Sequence, residues 1–263
     1  MQTTFSSTKR SSSISINFIV PQGWHELSDK QLRYVYQLLA QNFTSDEVKT
    51  LCLLHWTGTK VIGKQNTDGY LLRKGKILFE VTPLTLAELL PNLDWLGSLP
   101  TSPIRPVKLK HRPGIAADFD EVPFEQYIIV DNLYQGYLQT QDDTLLDEIA
   151  SVVYPGIKTP LAPDERIAIF YWVASLKSSL ASRYPDFFSG NPETDDGNLL
   201  ANSQSPISRS RIEDAVNAQI RALTKGDVTK EAEVLALDTH RALTELNAQA
   251  REYKQLNSQL NKK

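Results

Sequence analysis

A helix that is apolar around most of its circumference survives in water only inside a shell of other elements, and Ile167 to Leu180 reads as such a helix. It is entered at Pro163-Asp164-Glu165, where a proline is tolerated in the first turn. It carries Phe170, Tyr171, Trp172 and Val173 and closes at Tyr184-Pro185. The chain, 263 residues long, is large enough to build the shell around it as one sizeable domain or two modest ones.

The candidates for that shell are mostly helical. Ser28 with Gln31 has the form of a capping box ahead of Leu32, Val35, Tyr36, Leu38 and Leu39, whose 3–4 spacing marks an amphipathic helix. Ser45 reads as a second N-cap, before a helix through Val48, Leu51, Cys52, Leu54 and Trp56 that stops at Gly58. A helix from about Leu84 to Leu96 enters through Thr82-Pro83, and a Pro-punctuated loop runs from Ser98 to Val122. Phe124 to Thr140, and Leu145 to Val153 with Asp143 as N-cap, read as two antiparallel helices. Two pieces are β in pattern: Ser13 to Val20, and a meander from Lys60 to Val81 with turns at Asp68-Gly69 and Lys74-Gly75. The expected class is mainly α with a small β element, α+β.

Composition shifts suggest the domain plan. Residues 1–13 are polar and read as a flexible tail, 14–190 as a mainly helical body, and 191–208, rich in Asn, Asp, Ser, Pro and Gly, as a linker. Residues 209–263 read as a helical C-terminal arm broken at Lys225-Gly226-Asp227, with a long helix from about Val228 to Leu260. In that helix Leu235, Ala242 and Leu256 share one seven-residue series and Leu246, Tyr253 and Leu260 the other, a partial heptad seam interrupted at Thr239 and Gln249. A narrow seam of this kind calls for a partner: the protein's own body, a second copy, or another helix.

Little in the chain suggests chemistry. Its net charge of −3 draws no polyanion to it globally, and its single cysteine, Cys52, leaves no disulfide and no thiolate set for zinc. No run reaches the ~18 apolar residues of a membrane span, and no signal-peptide pattern follows Lys9-Arg10. The histidines His25, His55, His111 and His240 are scattered, no phosphate-binding glycine loop or nucleophile motif occurs, and Cys52 with His55 reads as a core thiol beside a helix-end histidine. No cofactor is expected. Asp142-Asp143, Asp195-Asp196 and Asp118, Asp120, Glu121 are acids that a metal-dependent hydrolase or nuclease could use, and they read more simply as caps and solvated loop. The densest basic run, Arg105, Lys108, Lys110, His111 and Arg112, offers a contact for phosphate or an acidic partner, and hence an alternative nucleic-acid role.

Two segments carry a resemblance. Trp24-His25-Glu26-Leu27-Ser28-Asp29-Lys30-Gln31-Leu32 leads to Leu51-Cys52-Leu53-Leu54-His55-Trp56-Thr57-Gly58. Asn217-Ala218-Gln219-Ile220-Arg221-Ala222-Leu223-Thr224-Lys225-Gly226-Asp227 leads to Arg241-Ala242-Leu243-Thr244-Glu245-Leu246-Asn247-Ala248-Gln249-Ala250. These resemble proteins of tailed phages and prophages of Bacteroides-like bacteria, and the likeness extends through Phe124–Tyr154 and Tyr184–Gly190. The two-part layout is similar to that of tail assembly chaperones, in which a helical body joined to a second segment escorts tape-measure and tail-tube subunits. The resemblance implies a non-enzymatic virion-assembly or structural role in the host cytoplasm or the virion. It implies other tail or virion proteins as partners, with a homo-oligomer as a further expectation, and supplies no catalytic residues.

Overall fold

Reciprocal capping starts the first two helices. The Gln31 N–H donates to Ser28 Oγ while the Ser28 N–H donates to Gln31 Oε1, opening α1 (Asp29–Leu39). Thr44 and Glu47 repeat the device at α2 (Ser45–Trp56), so the cap is Thr44, one residue earlier than the expected Ser45. The computed structural model describes residues 2–9, 12–64, 69–188 and 209–260. The expected linker 191–208 lies outside them, as does Asp195-Asp196. The fold is mainly α with small antiparallel sheets.

The chain divides into two compact units, Met1–Pro100 and Thr101–Lys263. This differs from the expected plan of a 14–190 body with a separate arm from 209 onward. The reason is burial: Val234, Ala242, Leu243 and Leu246 belong to the same hydrophobic core as Phe124, Tyr134, Ile149 and Trp172, so the arm is largely part of the second unit.

In the first unit β1 (Gln2–Lys9) pairs antiparallel with β2 (Ser12–Ile19), with Gln2 opposite Ile19 and Phe5 opposite Ile16. Residues 2–9 are therefore a strand rather than the expected tail. Their Thr- and Ser-rich sequence tolerates extended backbone, and the ladder to β2 supplies its hydrogen bonds. A second sheet has the order β3 (Thr59–Lys64), β4 (Tyr70–Lys74), β5 (Ile77–Val81), as the meander pattern indicated, with Gly75 at φ +59° making the β4–β5 turn. Leu72, Phe79 and Val81 turn one face inward, and Phe18 lies against Phe79 with ring centroids 6.2 Å apart. The expected helix from Leu84 to Leu96 is α only over α3 (Pro83–Leu89) and continues as a 3-10 helix over Leu90–Gly97. Pro91, which has no N–H to donate, stands where an α-helix would need one. Trp24 joins the two ends of this unit: its indole N–H donates to the carbonyls of Trp95 (3.2 Å) and Ser98 (2.9 Å).

In the second unit α4 (Phe124–Thr140) and α5 (Asp143–Val153) form the expected pair. The N-cap of α5 is Asp142, whose carboxylate accepts from the Thr144 N–H at 2.9 Å. The helix read as central, α6 (Pro163–Arg183), is central: Trp172 is fully buried, stacks on Phe119 at 5.9 Å and donates its indole N–H to the Ala117 carbonyl at 2.8 Å. Arg166 of α6 grips Asp147 of α5 with two hydrogen bonds, 2.9 and 2.8 Å, and Lys177 pairs with Asp131 of α4. The Pro-rich loop includes a two-residue ribbon, β6 (Lys108–Leu109) with β7 (Arg112–Pro113), and buries Leu109, Phe119 and Val122. After α6 come α7 (Pro185–Phe188), α8 (Arg209–Thr224), a 3-10 turn over Val228–Lys230, α9 (Glu231–Leu235) and α10 (Thr239–Leu260).

Candidate interaction site

The expected seam is divided by a helix break. Asp238 caps α10 by accepting from the Arg241 N–H at 2.9 Å, while Thr239 donates its N–H (2.9 Å) and its hydroxyl (2.7 Å) to the Val122 carbonyl. The Phe124 N–H in turn donates to the Leu237 carbonyl at 2.8 Å. The continuous helix from Val228 to Leu260 is thus interrupted between Leu235 and Thr239, because backbone groups there bond to the start of α4 instead of to each other. Leu235 sits half-buried on α9 and is not in register with the rest of the seam. Thr239, which looked like a flaw in the seam, is a buried anchor.

On α10 the positions Ala242, Leu246, Gln249, Tyr253, Leu256 and Leu260 follow one another at spacings of three and four, so they share a face. The face has two fates. Ala242 and Leu246 are buried in the core of the second unit, whereas Tyr253, Leu256 and Leu260 are 58%, 59% and 69% exposed. The neighbouring face of the helix explains the changeover. Asn247 Oδ1 accepts from the Phe187 N–H at 3.0 Å, Arg251 pairs with Asp186 at 3.0 Å, and Lys254 donates to the Asp186 carbonyl at 2.9 Å. The short α7 therefore braces α10 as far as Lys254, and the last turns carry their apolar residues outward. Of the six residues read as a partner seam, Ala242 and Leu246 are buried in the fold, Leu235 is half-buried on α9, and Tyr253, Leu256 and Leu260 are exposed.

The start of α10 is latched to the loop before α4. The Tyr184 hydroxyl lies 2.8 Å from His240 Nδ1, and His240 Nε2 lies 2.9 Å from the Asp118 carbonyl. A carbonyl can only accept, so Nε2 carries a proton; in the neutral ring Nδ1 then accepts from Tyr184, whose hydroxyl also lies 3.3 Å from the His240 carbonyl. Nothing in the sequence pairs these residues, which are 56 positions apart.

The basic run is not one patch. Arg105 is only 7% exposed; its guanidinium is stacked between the rings of Tyr154 (4.5 Å) and Trp172 (4.8 Å) and donates to the Ile115 carbonyl. Gly114 gives it room, because a Cβ there would overlap Arg105 Nη1. Lys110 is held by the carbonyls of Lys158 (3.0 Å) and Pro160 (2.7 Å) and by Glu165. Lys108 and Arg112 are exposed. Arg105 and Lys110 therefore serve as pins that hold the loop on the core, which corrects their expected role as phosphate contacts. Of the two apolar residues interleaved with the run, Leu109 packs inward while Val107 is 71% exposed, so their alternation did not by itself reveal how the loop packs.

The reactive candidates are similarly absorbed. Cys52 is fully buried, which pushes its thiol up to about 12, far from a thiolate at neutral pH. His55 stacks on Tyr34 at 3.8 Å. Asp142 caps α5, and Asp118 accepts from the Asp120 N–H at 3.2 Å. Among the described residues no group of three or more His, Cys, Asp or Glu side chains is arranged to hold a metal ion, and no helix is long and apolar enough to cross a membrane. No family model, no curated protein and no solved structure matches the chain.

Proposed function

We propose that the protein is a non-enzymatic assembly or structural protein of a tailed phage or prophage, acting through protein–protein contacts in the manner of a tail assembly chaperone. The carrying observation is the outward apolar end of α10: Tyr253, Leu256 and Leu260 continue, in exposure, the stripe that is buried at Ala242 and Leu246. Helices are stabilised mainly by packing one apolar face, and here the apolar face of the last turns is left more than half exposed among the described residues. The partner that fits is an amphipathic helix packed along these three residues. The phage setting rests on the resemblance of the Trp24–Gly58 and Asn217–Ala250 segments, and the host cytoplasm during assembly is the corresponding place of action. The burial of Arg105 and the tethering of Lys110 favour this reading over nucleic-acid binding by the 105–112 loop.

Co-expression with the tail-tube and tape-measure proteins of the same phage or prophage tests the proposal. The expected result is a soluble complex that co-elutes in size-exclusion chromatography. Separate elution of all three, with the tube and tape-measure proteins no more soluble than when expressed alone, would contradict it.

A further inference from the structure

We infer that the free edge of β3 is a second docking surface, which accepts an extended acidic segment of a partner protein by strand addition; this rests on the protein–protein reading above.

β3 is the terminal strand of the β3–β4–β5 sheet, and among the described residues no strand pairs with its outer edge. Its backbone hydrogen-bonding groups on that side are open to a further strand. From Lys60 to Lys64 every residue is exposed, including Val61 (53%) and Ile62 (46%), so apolar surface lies along the open edge.

Charge selects the occupant. From Thr59 to Val81 the sequence carries the cations Lys60, Lys64, Arg73, Lys74 and Lys76 against the acids Asp68 and Glu80. Lys60 stands directly opposite Arg73, a like-charged cross-strand pair that an added carboxylate would relieve. The register shift between Val61 and Gly63 places Lys60 on the face of Arg73 and Lys64 on the opposite face with Tyr70, so an incoming strand meets a cation on either side. A second copy is the wrong partner: an antiparallel β3 pairing centred on Ile62 would set Lys60 against Lys64 of the second copy at both ends. Lysines on an edge strand oppose self-pairing, and the same lysines are complementary to an acidic strand.

The test uses the full chain and a fluorescein-labelled peptide of Glu and Val, about ten residues long to match a strand. Its counterpart carries N-methyl groups on alternate residues and so keeps the charge but loses backbone donors. The expected result is binding by fluorescence anisotropy that weakens at least about tenfold in Lys60→Glu/Lys64→Glu and is lost with the N-methylated peptide. Lys60→Gln/Lys64→Gln, with an unchanged melting temperature, provides the same reading without charge reversal. Absence of binding, equal binding by the N-methylated peptide, or equal binding by both variants would overturn the inference. So would displacement of the peptide by oligothymidylate that itself depends on the same lysines, which would assign the surface to nucleic acid. A sedimentation dimer abolished by substitutions in β3 would assign it to a second copy and overturn it as well. Complex formation with tail proteins is read separately, through α10, so failure at β3 leaves that result standing.

Discussion

The hydroxyl of Tyr184, at the end of α6, lies 2.8 Å from Nδ1 of His240, in the first turn of α10. With the His240 carbonyl also within reach at 3.3 Å, this hydroxyl ties the central helix to the helix whose far end is proposed to recruit partners. Tyr184→Phe removes the donor and leaves a ring nitrogen unpaired, a loss of about 1 kcal/mol. Hydrogen exchange in the first two turns of α10 is expected to quicken while α4 and α5 stay protected. Unchanged exchange there would show that the bond does not hold the helix.

Trp172→Ala is expected to destabilise the second unit by about 3–5 kcal/mol, because it empties the site stacked on Phe119 and removes the ring beneath Arg105. Arg105→Met keeps the apolar stem between the rings and should lose less than Arg105→Ala. Chemical denaturation followed by circular dichroism reads both, and a loss below about 1 kcal/mol for Trp172→Ala would place the residue outside the core.

Acid should weaken the α5–α6 contact. Burial by itself raises the Asp147 carboxyl, but the hydrogen bonds from Arg166 and from the Leu161 N–H outweigh it and hold the group below its usual value. A carboxyl depressed in the folded state stabilises fully above its unfolded value of 3.8, and that stability is lost as the pH falls through the lower folded value. Wild type should therefore lose more stability than Asp147→Asn between about pH 5 and pH 2 in thermal melts. Parallel pH profiles would contradict the assignment.

Cys52 is expected to resist a disulfide reagent such as dithionitrobenzoate at pH 8 in the native protein and to react at once in denaturant. Burial both excludes the reagent and keeps the thiol protonated. Rapid native reaction would mean that α2 opens readily.

Much of this architecture is visible in local sequence, where local physics decides it. The box at Ser28 and Gln31, the meander with its turn at Gly75, and the all-round apolar α6 each follow from residues within a few positions of one another. The missed features depend on long-range bonds. Thr239 looks like an interruption until Val122 accepts its hydroxyl, and Asp238 breaks the helix by capping α10 while Leu237 is bonded to Phe124. Arg105 reads as a surface cation until Tyr154 and Trp172 enclose it. The division after Pro100 was also hidden, because the Pro-punctuated Ser98–Val122 stretch buries Leu109, Phe119 and Val122 in the second unit instead of standing apart as a linker. For the candidate site, heptad spacing identified the face but could not say where along α10 it leaves the core.

That point of departure is measured most directly by two variants on the same stripe. Leu246→Asp places a carboxylate in the core of the second unit and should lower its melting temperature sharply, at a cost of at least about 3 kcal/mol. Leu256→Asp with Leu260→Asp should leave the melting temperature within the range of ordinary surface changes while abolishing co-elution with the tail proteins that bind wild type. If the outer pair instead unfolds the unit, or leaves association intact, the exposed end of α10 is not the recruiting surface.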